Sequence, residues 1–173
     1  VKWFIGGRLN ITENCLDRHV ANSPEKTALI WESNEPNEKS ISISYRELHD
    51  RVCRYANVLK RNGVKKGDRV AVYMPMVPEL VVAVLACARI GAIHSVVFCG
   101  FSAQSLADRI IDAEAVAVLC SDGMYRGAKS MPVKTVVDDA IAHCPTVKCC
   151  IVTRRTSDAI PMKAERDKWL HEE

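Results

Sequence analysis

"VVFCGFSAQSLADR", residues 96–109, changes character midway, and that change decides the fold. Val96, Val97 and Phe98 suit a buried strand, whereas Ser102 followed by Leu106 and Ile110 has the spacing of a capped helix. Cys99, Gly100 and Phe101 make the turn between them. A strand that enters a helix through a tight, glycine-bearing turn is a unit of α/β architecture. Helix N-terminal amides point outward at such a turn, which is where α/β proteins often place ligand phosphates.

The same alternation recurs on both sides. Residues 70–74 read as a strand, Pro78 stands in the first turn of a helix that runs to Ile90 and stops at Gly91, and residues 93–98 form the next strand. Further on, residues 116–120 are a strand, a loop crosses to Pro132, a helix runs to about His143, and residues 147–152 are a strand again. This order predicts an α/β fold, a parallel sheet with helices on both faces. Near-continuous apolar strands predict burial on both sides. Right-handed crossovers place every strand-to-helix turn on one sheet edge, so the turns at 99–101 and 121–129 share it.

Earlier in the chain, residues 27–31 and 41–45 read as two strands joined by "ESNEPNEKS", an exposed polar loop containing Pro36. Ser44 and Glu47 have capping-box spacing, and Leu48, Val52, Ala56 and Leu59 follow at helical intervals until Gly63. Residues 1–22 carry a glycine pair and a short helix with Leu16 and Val20 on one face. The tail after Arg155 has no strong period and predicts no closing core element.

With 173 residues, 48% hydrophobic and 26% charged, the chain is too apolar for a disordered protein and long enough for one substantial core. A net charge of +3, with basic residues spread among acidic ones, gives no nucleic-acid or membrane signature and describes a solvated surface. The longest apolar run, residues 80–88, is far short of the ~20 residues that span a bilayer. No secretory segment follows Val1, so a cytoplasmic location is expected. The eight cysteines mostly fall inside apolar patterns and read as buried free thiols. Cys149 and Cys150 are strand neighbours on opposite faces, and no metal site is expected.

The chain lacks G-x-G-x-x-G and G-x-x-x-x-G-K-[ST], and "GVKKGDR" does not supply the latter's Lys-Ser/Thr. A response-regulator reading fails because the first parallel strand runs into Tyr73, Met74 and Pro75 rather than acidic residues. No serine or cysteine sits in a G-x-S-x-G elbow, and His94, mid-strand, reads as a core histidine. The loop "SDGMYRGAKSMP" presents Arg126 and Lys129 with glycines beside them. A guanidinium and an ammonium there suit a phosphate, although composition alone favours a solvated basic loop.

"YMPMVPELVVAVLACARIGAIHSVVFCGFSAQSLADRI", with "NCLDRH" before it and "RGAKSMPVK" after it, closely resembles the AMP-forming acetyl-CoA synthetases. The resemblance runs from "WFIGGRLN" through "SYRELHDRVCRYANVLKRNGVKKGDRV" to "DKWLHEE". It implies an adenylate-forming ligase that converts acetate, ATP and CoA to acetyl-CoA, AMP and pyrophosphate through acetyl-adenylate, with Mg2+ accompanying ATP. It also implies that residues 1–22 are an N-terminal extension and 23–173 the first, incomplete part of the AMP-binding domain. The ATP, acyl and catalytic-lysine motifs belong to the rest of a parent chain. Catalytic residues are therefore not expected here, and the isolated chain should be inactive. A propionyl or other short-chain acyl-CoA synthetase fragment, or a non-catalytic truncated binding module, would share these residues.

The resemblance further implies that CoA's adenine lies near Phe98, Cys99 and Gly100, with its 3'-phosphate at Arg126 and Lys129. Cys99 stands where the family usually has glycine, adding a side chain where the adenine approaches. Lys129 stands where it usually has arginine, turning a bidentate contact into a point charge.

Overall fold

The computed structural model describes residues 1–34, 37–127 and 129–173. Five parallel strands, β3 (Arg69–Tyr73), β4 (Ile93–Val96), β5 (Ala117–Ser121), β8 (Cys149–Thr153) and β9 (Asp167–Trp169), form one sheet in the order β4-β3-β5-β8-β9. Helices α2 (Tyr45–Arg61) and α3 (Pro78–Ile90) cover one face, and α4 (Ala103–Asp112) and α5 (Val133–Ile141) cover the other. The two-residue period of the strands sorts the core. Val70, Val72, Leu119, Cys149 and Ile151 face α2 and α3, whereas Ala71, Tyr73, Val118, Cys150 and Val152 face α4 and α5. Cys149 and Cys150 therefore do point to opposite faces. The predicted α/β class, with helices on both faces of a parallel sheet, is the one observed.

The helix ends follow local chemistry. Ser44 Oγ accepts the Glu47 amide at 3.2 Å at the start of α2, and Ser102 Oγ accepts the Ser105 amide at 3.3 Å at the start of α4. Pro78 opens α3, and Gly91 closes it at φ 75°, a left-handed conformation suited to glycine. A short α1 (Arg18–Asn22) follows a π-helical turn, Glu13–Asp17, whose Leu16 is fully buried. The antiparallel hairpin of β1 (Thr27–Trp31) and β2 (Ile41–Ser44) precedes α2, which takes Tyr45 as its first residue. Pro36, placed by the sequence in an exposed loop, lies outside the described residues. No helix among the described residues is long and apolar enough to cross a membrane.

Five expectations need correction. Residues 93–98 are not a strand buried on both sides: β4 ends at Val96 and is the sheet's edge, leaving Ile93 and Val96 56% and 52% exposed. His94 is likewise exposed rather than in the core. Apolar, β-branched composition records strand propensity but not whether a neighbouring strand exists. Among the cysteines, Cys15 is exposed and Cys53 half-buried, while the other six are buried.

The remaining two concern segments read as loops. The stretch before Pro132 holds an antiparallel hairpin, β6 (Met124–Arg126) and β7 (Lys129–Met131). The tail supplies β9, which adds to β8 in parallel. Its inward residue is Asp167, so no apolar period marks it. The carboxylate meets Lys134 Nζ at 2.9 Å, and both side chains are fully buried. Asp138 and Arg166 complete that cluster, with Lys134 Nζ also 2.8 Å from Asp138.

Candidate functional site at the carboxyl edge of the sheet

Because the strands are parallel, the turn after β4 and the hairpin after β5 leave the same edge of the sheet, as topology predicts. Only β3 stands between β4 and β5, a separation of about 10 Å at strand level. The turn is braced from below, where Tyr73, at the end of β3, donates its hydroxyl to the Phe101 carbonyl at 2.7 Å. Phe98 is 70% exposed, and its ring meets that of Phe101 edge-on at 5.7 Å. The Arg109 guanidinium sits 4.9 Å over the Phe101 ring.

Cys99 does not stand on the surface. Its side chain is buried in the core on the α4 side, and burial pushes its thiol up to about 12. What position 99 shows to solvent is therefore not a thiol reaching outward. Gly100 is exposed and lies under the Phe98 ring.

On the hairpin, Arg126 and Lys129 are register partners across β6 and β7. Both are exposed, and neither has a carboxylate within ion-pair distance among the described residues. The glycine between them, Gly127, takes φ 59°; Ala128 lies outside the described residues.

The residues that hold this hairpin in place escape motif reading. Asp122, fully buried at the end of β5, accepts four amides: Gly123 at 2.7 Å, Arg155 at 2.7 Å, Thr156 at 3.0 Å and Ser157 at 2.8 Å. It thereby ties the hairpin's root to the loop leaving β8. Gly123 permits the approach, since a Cβ there would stand 2.5 Å from Thr156 Oγ1 and 3.1 Å from the Met131 carbonyl. The Asp-Gly pair after an apolar strand was the available signal.

Arg155 carries the brace outward. Its guanidinium lies 5.0 Å from the Tyr125 ring and 5.2 Å from the Trp31 ring, and grips Glu38 bidentately at 2.7 and 2.8 Å. The hydrogen bond from Arg155, joined by one from Ser33, holds the Glu38 carboxyl down to about 2. Trp31 Nε1 in turn donates to the Met76 carbonyl at 2.7 Å, fastening the β1–β2 hairpin to the same edge.

The edge is an open surface; concavities of about 760, 660 and 530 Å³ lie elsewhere. It offers an exposed aromatic face and, on braced backbone, two cations without a carboxylate partner among the described residues. That arrangement suits an anion attached to a flat ring system.

Comparison with known proteins gives a consistent result. The family model for AMP-binding enzymes matches residues 16–172. Acetyl-coenzyme A synthetase of Desulfatibacillum aliphaticivorans is 53% identical over 99% of the chain, which spans 26% of that protein. Acetyl-coenzyme A synthetase 2 of Pseudomonas putida is also 53% identical, with the same two coverages. The solved structure of acetoacetyl-CoA synthetase from Streptomyces lividans superimposes with a TM-score of 0.88 at 28% identity, covering 99% of this chain and 26% of that one. The chain thus spans about a quarter of the length of the relatives it matches.

Proposed function

Because the chain belongs to the AMP-binding enzyme family, we propose that it is the amino-terminal portion of an acetate:CoA ligase and that its share of the chemistry is to hold the nucleotide end of CoA. In the full reaction acetate attacks ATP to give acetyl-adenylate and pyrophosphate. The CoA thiol then takes the acetyl group and AMP departs. ATP would arrive as its magnesium complex, the ion neutralising the phosphates, and this chain assigns no residue to either. Residues 1–22 serve as an extension and 23–173 as the first part of the AMP-binding domain, in a cytoplasmic enzyme whose thiols stay reduced.

One observation carries the CoA assignment: Arg126 and Lys129 are register partners, without carboxylate partners among the described residues, on the same edge as the exposed Phe98 ring. The adenine would lie against Phe98 and the backbone at Cys99 and Gly100. The 3'-phosphate would lie between the guanidinium and the ammonium, where charge-assisted hydrogen bonds are worth most.

Titration of the chain with adenosine 3',5'-bisphosphate tests this. Arg126→Ala should weaken binding about tenfold or more, because a charge-assisted hydrogen bond contributes roughly 1.5–3 kcal/mol. Adenosine 5'-monophosphate, which lacks the 3'-phosphate, should bind variant and parent equally. Equal bisphosphate affinities would make the hairpin structural only. The ligase reading has its own test: the reading frame beyond Glu173 should continue into a Ser/Thr/Gly-rich phosphate loop, and a stop codon there would overturn it.

A further inference from the structure

The opposite edge of the sheet carries a second concentration of unpaired charge. Lys60 on the last turn of α2, Lys65 and Lys66 on the following loop, and Arg8 of the N-terminal segment are all exposed. Among the described residues none of the four lies within ion-pair distance of a carboxylate, whereas Arg46, Arg51 and Arg69 elsewhere are paired. They surround two adjoining concavities of about 760 and 660 Å³ that share Lys66, Arg89 and Ile90. Exposed Leu9 and Ile11 and half-buried Ile90 contribute apolar lining, over the buried Ala56 and Val64. Glu13, Asp17 and Asp68 are carboxylates nearby; Asp17 is held by Arg89 at 3.0 Å, and Asp68 accepts the Lys65 amide at 2.7 Å.

These cations are not consumed in closing the helices. The last carbonyls of α3 take the Asn10 side-chain amide at 3.2 and 3.0 Å, together with the amides of Gly91 and Ala92. Those of α2 take the Asn62 side chain at 3.0 Å and the amides of Gly63 and Val64. Arg89 is different, being built into the wall by Asp17 at 3.0 Å and Thr12 at 3.3 Å. Among the described residues the lysines have no ion-pair partner around a partly apolar concavity.

We propose that this groove is a docking site for an acidic peptide segment carrying an apolar side chain. Flexible ammonium groups recruit carboxylates by charge, and the lining of Leu9, Ile11 and Ile90 receives the apolar anchor. A single-stranded nucleic acid fits less well because the lining holds no aromatic ring for base stacking. A lipid surface fits less well because the site is concave.

The test uses the whole chain and a short fluorescein-labelled peptide of glutamates interrupted by leucines, followed by anisotropy. Lys60→Glu/Lys65→Glu/Lys66→Glu should raise the dissociation constant at least about tenfold. The control Lys39→Glu/Lys148→Glu/Lys163→Glu, with the same change in net charge, should raise it less than about threefold. Because the Lys66 stem crosses Gly91, the milder Lys60→Gln/Lys65→Gln pair supplies a second reading and should weaken binding in a chain of unchanged circular dichroism. Replacing the peptide's leucines by serine should also weaken it. Equal effects of the two triple variants would overturn the proposal. So would tighter binding of an oligonucleotide or of phosphatidylserine–phosphatidylcholine vesicles through the same lysines, or no peptide binding at all.

Discussion

The ring of Phe98 is folded against Gly100: a Cβ at position 100 would stand 2.6 Å from the ring's Cε1 and 3.2 Å from its Cδ1. The glycine is there for the ring's sake, since its own backbone needs no left-handed angle. Gly100→Ala should therefore displace an exposed ring at little cost to the fold, below about 1 kcal/mol. Its effect should appear in ligand binding. Lost base stacking of at least about 1 kcal/mol predicts a fivefold or larger loss of adenosine 3',5'-bisphosphate affinity, with the thermal midpoint almost unmoved.

Asp122 gives the opposite pattern. Asp122→Ala strands four amides, three of them on the buried or half-buried Gly123, Arg155 and Thr156, and at about 1–3 kcal/mol for each unsatisfied buried group the fold should lose several kcal/mol even after water enters. Urea unfolding should show it as a lower midpoint. Hydrogen exchange should accelerate at Arg155, Thr156 and Ser157 before it does so in β5.

The buried ion cluster predicts both a mutational and a pH signature. Lys134→Met leaves Asp138 and Asp167 with Arg166 as their shared cation, one buried negative charge in excess, and should cost about 3–5 kcal/mol. Burial works against both charges, but hydrogen bonds from Arg166 and Lys134 outweigh it at Asp167 and lower that carboxyl. Those from Asp138 and Asp167 outweigh it at Lys134 and raise that ammonium. A lowered acid contributes stability that is lost as pH falls through its folded value. A raised base contributes stability that is lost as pH climbs through its own. The parent chain should thus weaken at both extremes, and Lys134→Met should flatten the alkaline limb.

Thiol titration follows from exposure. Of the eight cysteines, Cys15 and Cys53 should react with an aromatic disulfide reagent within minutes under native conditions. Burial pushes Cys87 and Cys99 up to about 12 and Cys149 up to about 11, so these should react only on unfolding. Fast labelling of Cys99 would show that its side chain faces outward after all.

An unpaired β4 predicts self-association. Among the described residues no strand pairs with its outer side, Ile93 and Val96 there are more than half exposed, and the strand has no lysine or proline to discourage pairing. Sedimentation of the chain should show association rising with concentration. Val96→Lys should suppress it without lowering the thermal midpoint.

Legibility in the sequence tracked how local each cause was. The α3 helix is written by Pro78 and Gly91, and α2 by the Ser44 hydroxyl, because caps act within one turn of chain. The shared edge of residues 99–101 and Arg126 was legible too, since crossover handedness leaves little choice once strands and helices alternate. Strand β9 was hidden because its inward group is a carboxylate whose partner is 33 residues away. The inward turn of Cys99 and the four amides on Asp122 depend on backbone path, which residue type does not encode. The exposure of β4 depends on what lies beside it, which no pattern within it could tell.

The ion cluster also acts as a combination lock on the last strand. β9 is only three residues long, too short for apolar matching to select one alignment. In the observed alignment Asp167 lies opposite Cys150 and meets Lys134. Its chain neighbours are Arg166 and Lys168, so a slip of one residue either way offers the buried ammonium a second positive charge instead of a negative one. Both misalignments are repelled, and a stretch with almost no hydrophobic signature accepts a single setting.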